Sequence, residues 1–355
     1  MGAQADEHVQ RHAVRAGTAR ATLPSTMPNR ALWTGTLYAC AAGLMWGLVF
    51  VAPLLLPQYP AVLLSMGRYV AFGLIALPLA WLDRVRLREL RRADWLEALK
   101  LSAVGNLLYY LCLSAAIQRA GGPLPTMIIG TLPVVIALVS NRRDALRDGR
   151  MPWRRLAPSL VLIAAGIGCV NQAEWQQLSR AGPVDLGRYA TGALLAIGAV
   201  ACWTWYPIRN ADWLRHHADR SPSTWATAQG LATGPLAAIG LALYGLYQSV
   251  EPGPDHTGLL GPTPQLFLGL MLAIGLFASW LGTLCWNQAS QRLPTSLVGQ
   301  LIVFETLSAL AYAFVLRGHL PPLLSLAGVA LLVTGVLWAL RERPEQPPVA
   351  AAHPS

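Results

Sequence analysis

Charged residues are scarce in this chain. Asp, Glu, Lys and Arg together make up 12% of its 355 residues, whereas a typical soluble protein is about a quarter charged. Hydrophobic residues reach 54% and the mean hydropathy is +0.42. This composition excludes an ordinary soluble enzyme, because too few polar residues remain to cover a globular surface.

Motifs for metals, disulfides and nucleotides are also missing. The cysteines form no CxxC pair, and the seven histidines lie in tails and loops without ligand spacing. All five cysteines fall in apolar stretches: Cys40, Cys112, Cys169, Cys202 and Cys285. No P-loop GxxxxGK[ST] is present, so ATP is not expected to drive any process here. We therefore expect no metal, no haem and no other cofactor, and no enzyme activity.

The sequence is instead dominated by long apolar runs. A bilayer span needs roughly 20 mostly apolar residues. Ten candidates lie near 33–56, 59–82, 98–117, 123–140, 156–172, 190–208, 223–247, 266–286, 295–316 and 320–340. Only helices or closed barrels satisfy the backbone in hydrocarbon, and barrel strands alternate apolar and polar residues. These runs do not alternate, so they predict an all-α membrane protein with ten transmembrane helices.

The distribution of arginine and lysine predicts the topology. With the N-terminus inside, 21 of the 27 basic residues lie on the cytoplasmic side and four lie opposite. This is the positive-inside bias, and it accounts for the net charge of +10 without any nucleic-acid partner. Both termini and the segments 83–97, 141–155 and 209–222 are predicted to be cytoplasmic. Contact of 83–97 and 141–155 with anionic headgroups is an alternative use of their charge.

The chain contains an internal duplication. Leu111–Arg119 and Leu284–Arg292 match at five of nine positions, at an offset of 173. A second match, of Leu124-Pro125-Thr126 with Leu293-Pro294-Thr295, follows at an offset of 169. Each copy holds five predicted spans. Because five is odd, the second copy enters the bilayer from the opposite side, which predicts two inverted five-helix repeats around a central cavity.

These matches divide the chain into four parts. We predict a disordered cytoplasmic tail at 1–30, a first five-helix repeat at 31–175, a second at 186–340 and a cytoplasmic tail at 341–355. The first tail lacks the short apolar core and processing site of a signal peptide. The second tail is rich in proline and charge.

Polar residues recur in the two copies. Span three carries four of them at a spacing of four, which places them on one helix stripe. They are Ser102, Asn106, Tyr110 and Ser114, and the last three have polar counterparts in span eight, Ser279, Thr283 and Asn287. Such a stripe faces other helices or a wet cavity. We predict that Asn106, Tyr110 and Thr283 bind a substrate, with interhelical hydrogen bonding as the alternative.

Glu305 is the only acidic residue deep in a predicted span. A buried carboxylate is costly unless it is paired, hydrated or protonated. Ser308 and Tyr312 share its helix face, and we predict that these three residues and Gln300 bind a substrate, with Glu305 attracting an ammonium group. The alternatives are a structural bond, to backbone or to Arg68, and a role as proton carrier. Arg68 itself could hold a carboxylate, pair with Glu305 or fix a helix end.

Several tryptophans lie deep in the predicted spans. Trp46 and Trp203 match at a repeat offset of 157. Aromatic rings can stack on a flat substrate. We predict that Trp46, Trp203 and Trp280 line the cavity, with packing as the alternative for each.

Two glycines follow the repeated Leu-Pro-Thr by the same distance. They are Gly130 and Gly299, and Pro133 follows the first of them. Glycine and proline weaken the helical hydrogen-bond ladder and permit bending. We predict that these three residues are hinges of spans four and nine. Close packing at the glycines is an equally good interpretation.

Particular stretches resemble a known family. They are Leu132-Pro133-Val134 in span four, Leu326-Ala327-Gly328 with Gly335 in span ten, and Phe304–Leu310 in span nine. In these the chain is similar to the EamA-type branch of the drug/metabolite transporter superfamily over about 33–340, and within it to bacterial aromatic amino-acid exporters. Thr306 stands where many relatives carry proline, so the resemblance does not carry their kink over to this position.

The resemblance implies a secondary-type exporter that works by alternating access. We expect it in a bacterial inner membrane, as a monomer, with aromatic and other large apolar amino acids as substrates. Broad drug or metabolite efflux by proton antiport is an alternative. A membrane-embedded enzyme and a channel are further alternatives. No nucleophile–base pair favours the enzyme, and the bulky cavity residues favour occlusion over an open pore.

Overall fold

The chain is helical throughout the part that its structure describes. This structure, a computed structural model, describes residues 29–120, 125, 128–143, 152–178, 185–250, 260–318 and 322–341. Nearly all of the two predicted tails lies outside this part. The α-helices are α1 Asn29–Gly47, α2 Val51–Leu55, α3 Ala61–Leu82, α4 Arg84–Leu87, α5 Arg92–Leu101, α6 Tyr109–Ala120, α7 Leu132–Arg143, α8 Trp153–Leu178, α9 Leu186–His216, α10 Pro222–Val250, α11 Pro264–Ile274, α12 Gly282–Arg292, α13 Thr295–Leu301, α14 Val303–Arg317 and α15 Leu323–Arg341.

Eight of the described helical stretches are long and apolar enough to cross a membrane. They are Arg30–Pro53, Ala61–Leu82, Arg92–Ala120, Trp153–Val170, Leu186–His216, Pro222–Val250, Pro264–Arg292 and Thr295–Leu316. A shorter apolar helix, Leu323–Ala339, coincides with the tenth predicted span. The fourth, 123–140, lies partly outside the described residues. The all-helical membrane class is therefore confirmed, and the number ten stays a prediction.

The most extensive contacts join helices of the two halves. They pair α8 with α15, α3 with α10, α6 with α9, α12 with α1, α14 with α1, and α7 with α13. Each pair takes one helix from 31–175 and one from 186–340. The core of the molecule therefore lies between the halves, where both contribute side chains.

Glycines set the distances within these pairs. A Cβ on Gly73 of α3 would lie 2.5 Å from the Cα of Gly234 in α10. On Gly166 of α8 it would lie 2.7 Å from the carbonyl oxygen of Gly328 in α15. Helices in lipid associate through van der Waals contact, which small residues make possible at short range. The many glycines of the sequence thus become close backbone contacts between the halves.

Two π-helical segments interrupt the helices of spans three and eight. Ser102–Leu108 lies between α5 and α6, and Gly275–Leu281 lies between α11 and α12. Their separation is 173 residues, the offset of the sequence match. A π-helix closes its bonds from i to i+5, so each wide turn rotates the following side chains away from their α-helical positions. Both segments face the centre of the molecule.

Spans four and nine are broken near the predicted hinges. In span nine, α13 ends at Leu301 and α14 begins at Val303, with Ile302 in a turn between them. In span four, Gly130 forms a turn just before α7. Pro133 follows in the first turn of α7, where a missing N–H costs no helical bond.

The arginine-rich segments meet at one end of the bundle. Arg209 Nε donates to Glu97 Oε1 at 2.5 Å, and Arg220 pairs with Glu89. Arg143 NH1 donates to Asp212 Oδ1 at 3.2 Å. These bonds join residues of 83–97, 141–155 and 209–222, so the described parts of the three segments lie on the same side of the bundle. The predicted topology requires this. That this side is cytoplasmic stays a prediction.

Candidate substrate site

A small cavity lies between the two halves. It encloses about 30 Å³ and is lined by Trp46, Val49, Arg68, Tyr69, Phe72, Asn106, Tyr109, Trp203, Tyr206, Ala278, Ser279, Thr283 and Glu305. These residues come from α1 and the 3-10 turn Leu48–Phe50 after it, and from α3, both π-helical segments, α6, α9, α12 and α14. The cavity is therefore a product of the contacts between the halves and not of any one segment.

Two opposite charges face this cavity. Arg68 is 7% exposed and Glu305 is 8% exposed. Arg68 Nε donates to Ser279 Oγ at 3.0 Å, and its guanidinium carbon lies 4.8 Å and 5.1 Å from the ring centroids of Tyr69 and Tyr110. Among the described residues, no hydrogen bond or ion pair joins the Glu305 carboxylate to Arg68 or to any other side chain. Arg68 and Glu305 therefore line the same cavity without forming an ion pair with each other.

Span one positions Glu305 through two glycines. Gly43 and Gly47 lie four residues apart on α1, the small-xxx-small spacing that lets membrane helices pack closely. A Cβ on Gly43 would lie 2.9 Å from the backbone nitrogen of Glu305. Ser308 Oγ also donates to the Gly43 carbonyl oxygen at 3.1 Å. These contacts press α14 onto α1 and hold Glu305 at the cavity wall.

Aromatic rings also line the cavity and pack against one another. The rings of Trp46 and Trp203, which match at the repeat offset, have centroids 4.9 Å apart in an edge-to-face contact. Trp286 packs 5.0 Å from Trp46, while Tyr109 and Tyr206 lie 5.6 Å and 5.5 Å from Trp203. Edge-to-face pairs of this kind stabilise a fixed ring arrangement. The cavity lining therefore combines ionisable side chains with packed aromatic rings.

Two residues at equivalent positions of the two π-helical segments also line the cavity. Asn106 and Ser279 occupy equivalent positions of the two segments, and both line the cavity. Asn106 Nδ2 donates to Thr233 Oγ1 at 3.1 Å. The polar stripe noticed in the sequence thus reaches the cavity from both halves.

The farther end of the stripe has a different role. Asn287 accepts a hydrogen bond at 2.8 Å from Asn210, which is fully buried. The Asn210 side-chain oxygen in turn accepts from Trp225 Nε1 at 2.8 Å and Gln229 Nε2 at 3.0 Å. This network joins α9, α10 and α12 below the cavity. For Asn287 the structure therefore agrees with interhelical hydrogen bonding, which was the alternative to a cavity-lining role.

The structure brings together about half of the predicted binding residues. Trp46, Asn106, Trp203, Thr283 and Glu305 line the cavity. Tyr110 adjoins it through the Arg68 guanidinium, and Ser308 lies next to it on α14. The cavity lining also includes residues outside the predicted set.

Three other predicted binding residues lie away from the cavity lining. Trp280 Nε1 donates to Thr227 Oγ1 at 3.1 Å. Gln300 accepts a hydrogen bond from Ser159 at 2.5 Å. Tyr312 is half-buried and donates to the Leu44 carbonyl oxygen at 2.9 Å. Each side chain is held by a neighbouring helix in this conformation.

Gly299, the predicted hinge of span nine, makes a close contact. A Cβ there would lie 2.5 Å from Ile136 Cγ2 of α7. Its packing thus fits the alternative interpretation, while the break at Ile302, three residues on, fits a hinge.

Several cavity residues were missed by the sequence reasoning or not chosen. They are Val49, Arg68, Tyr69, Phe72, Tyr109, Tyr206, Ala278 and Ser279. Ser279 was visible as the repeat counterpart of Asn106. Tyr109 was not chosen, because the spacing of four selected its neighbour Tyr110. Tyr69 and Phe72 lie on the face of α3 that carries Arg68.

Comparison with known proteins identifies the family. The EamA-like transporter family matches residues 33–142. Inner membrane protein YtfF of Escherichia coli strain K12 is 55% identical over 315 residues, covering 88% of this chain and 97% of that protein. The chain belongs to the EamA-like transporter family. Eight of its described helical stretches are long and apolar enough to cross a membrane, so it is a multi-pass inner-membrane protein. Membership of this family makes it a transporter of small molecules.

Two more distant matches each cover more than four fifths of this chain. A probable terminal-alkyne amino-acid exporter of Streptantibioticus cattleyicolor is 24% identical over 313 residues, covering 82% of this chain and 92% of that protein. A crystal structure at 19% identity superposes with a TM-score of 0.65, covering 86% of this chain and 96% of the other. This second likeness shows the fold alone.

Proposed function

We propose that this EamA-family protein exports aromatic and other large apolar amino acids by alternating access. The observation that carries the proposal is the pair of opposite charges, Arg68 and Glu305, that face one cavity beside a wall of aromatic rings. A free amino acid carries an ammonium and a carboxylate a few ångströms apart. The relative named as a probable amino-acid exporter supports the same class of substrate.

The chemistry of the site suggests how such a substrate binds. The ammonium group would face Glu305, which has no other side-chain partner among the described residues. The carboxylate would face Arg68, whose planar guanidinium suits bidentate binding of a carboxylate. The side chain would lie against Trp46 and Trp203. An aromatic ring gains most from this wall, because ring pairs add to the area that they bury.

The present cavity is too small for this substrate. Its 30 Å³ has room for about two water molecules, since one water needs about 10–15 Å³ of such space. Substrate entry therefore requires the halves to separate at one end. The breaks at Gly130 and Ile302 interrupt spans four and nine beside the cavity, and we propose bending there.

The helix pairing supports a twofold relation between the halves. An inverted repeat maps span one onto six, two onto seven, and so on. The pairs α3 with α10, α7 with α13 and α8 with α15 each map onto themselves. The pair α6 with α9 maps onto the pair α12 with α1. This is the pattern that an axis in the membrane plane would generate, and such an axis underlies alternating access in many transporters.

Counterflow in liposomes tests the proposal. We expect preloaded aromatic amino acids to drive saturable uptake of the labelled substrate, which separates a transporter from a channel. Glu305→Gln should weaken amino-acid transport more than transport of aromatic carboxylic acids that lack the amine. The expected loss of binding is about 1–3 kcal/mol if the contact is direct and buried.

A matched variant controls for charge. Glu89→Gln removes an exposed acid at the arginine-rich end and should leave both ligands unaffected. Equal losses for both ligands in correctly folded Glu305→Gln protein would make Glu305 structural or a proton carrier. The ammonium assignment would then be abandoned. Absence of counterflow with every amino acid would reject the substrate class.

A further inference from the structure

A second, larger groove opens on the outer surface between α7 and α9. It has a volume of about 510 Å³ and is separate from the central cavity. Its lining residues are Val135, Val139, Arg143, Ile197, Val200, Ala201, Thr204, Trp205, Ile208 and Arg209. All are apolar except Thr204 and the two arginines. α9 is long and apolar enough to cross a membrane, and α7 belongs to the predicted fourth span, so we expect this groove to face the bilayer.

The groove is about as long as one leaflet. On α9 its lining runs from Ile197 to Arg209, which at 1.5 Å per residue is roughly 18 Å. The hydrocarbon core of a bilayer is about 30 Å thick, so one leaflet is about half of that. On α7, Val135, Val139 and Arg143 form a matching stripe at a spacing of four. The apolar length of the groove therefore suits an acyl chain.

The two arginines lie at the same end and give the mouth a positive charge. The side chains of Arg143 and Arg209 are 44% and 48% exposed, while their carboxylate partners Asp212 and Glu97 are only 14% and 11% exposed. The cationic member of each pair is therefore the one presented to the surroundings. Arg209 uses Nε and NH2 for Glu97, and a guanidinium carries five N–H bonds. A second acceptor can thus bind Arg209 without breaking the ion pair.

A buried hydroxyl lies deeper in the same groove. Thr204 Oγ1 is buried and has no hydrogen-bond partner in the structure. It precedes Arg209 by five residues, which is about 7.5 Å along the helix. Buried hydroxyls normally find a partner. In a phospholipid the ester carbonyl groups lie a short distance below the phosphate. The hydroxyl is covered in this conformation, so it donates to such a carbonyl only after the Thr204 side chain rotates toward the groove.

We propose that the groove between α7 and α9 binds one anionic phospholipid, with its phosphate at Arg143 and Arg209 and an acyl chain along Val139, Val200 and Ile197. Basic pockets between membrane helices on the cytoplasmic side commonly hold anionic headgroups. The site goes beyond the transport function and does not depend on the identity of the substrate. The chemistry that it recognises is a headgroup of net negative charge, a phosphate without a neighbouring ammonium group, joined to an apolar chain.

The test is retention of lipid by the purified protein. The protein is extracted from bilayers that contain equal amounts of phosphatidylglycerol and phosphatidylethanolamine, and bound lipid is counted by native mass spectrometry. The wild-type protein should retain phosphatidylglycerol in preference to phosphatidylethanolamine. The double variant Arg143→Gln with Arg209→Gln should lower its retention about tenfold or more. Thr204→Val should lower it to a smaller extent.

A second variant keeps the test independent of the ion pairs. Ala201 is exposed in the groove, and Ala201→Trp fills it without changing any charge, so retention should fall at least fivefold. The controls are Ala327→Trp on α15 and Arg154→Gln on α8. Both positions are exposed and lie outside the groove. They should retain lipid as the wild type does. Equal retention of both lipids, or normal retention by Ala201→Trp, would overturn the proposal. So would displacement of the lipid by soluble glycerol phosphate alone, which would indicate a site for the headgroup only.

Discussion

Replacement of Gly47 by alanine should destabilise the protein by overpacking. Gly47 has α-helical backbone angles, φ −54° and ψ −28°, so glycine is not needed there for its conformation. Its role is space. A Cβ at this position would lie 2.5 Å from Ser308 Cβ and 2.9 Å from the backbone nitrogen of Ala309. Since one of these atoms is backbone, no rotamer change can relieve the clash, and α1 must move away from α14.

The size of the effect follows from two opposing terms. The added methyl group has to reach ordinary contact distance, which requires a shift of about 1 Å between tightly packed helices. Overpacking of this kind typically costs about 1–3 kcal/mol. Alanine recovers up to about 1 kcal/mol through its higher helix propensity. The packing term is larger, so we expect a net loss of about 1–2 kcal/mol.

Thermal unfolding in detergent measures this loss, with Gly168→Ala as the matched control. Gly168 is also helical, but a Cβ there has no neighbour within 4 Å. It should therefore leave the unfolding midpoint unchanged or raise it. Gly47→Ala should lower the midpoint and also slow transport, because α14 carries Glu305. Wild-type stability in Gly47→Ala, or an equal loss in both variants, would refute the packing argument.

Three further predictions concern the network, the topology and the hinges. Asn210→Leu should cost about 1–3 kcal/mol for each buried donor left unpaired; an unfolding midpoint no lower than that of Thr334→Ala, which loses one exposed bond, would contradict this. A cysteine at Ala145 should react with impermeant reagents only in inside-out vesicles, and labelling from outside intact cells would reverse the topology. Gly130→Ala with Gly299→Ala should slow transport with substrate affinity largely unchanged if bending limits the rate, whereas affinity lost in step with rate in liposome kinetics would indicate packing.

The membrane class was predictable because the bilayer imposes a local rule. Each span must be apolar over about 20 residues and must satisfy its own backbone, so a window of sequence is sufficient to find it. The common side of the arginine-rich segments followed from the positive-inside bias. The fourth and tenth spans stay predictions, since the fourth lies partly outside the described residues and the tenth forms a shorter apolar helix.

The repeat was the most informative signal for the site. It linked Trp46 with Trp203 and Asn106 with Ser279, and both pairs meet at the cavity. A repeat shows which positions are equivalent, and positions near a symmetry axis are the ones that can touch. It did not show that Gln300 and Tyr312, on the helices of span nine, would be held by Ser159 and Leu44.

The sequence by itself determined the membrane environment, the twofold pattern and the one deep acid, because these depend on composition and order along the chain. Only the tertiary structure decided which side chains share the cavity. Tyr109 lines the cavity where the sequence pattern favoured Tyr110, and the close crossing at Gly43 and Gly47 brings Glu305 to the same cavity as Arg68. Both effects depend on how closely distant helices can approach. That distance is set by side-chain volumes on two elements at once, which no single stretch of sequence contains.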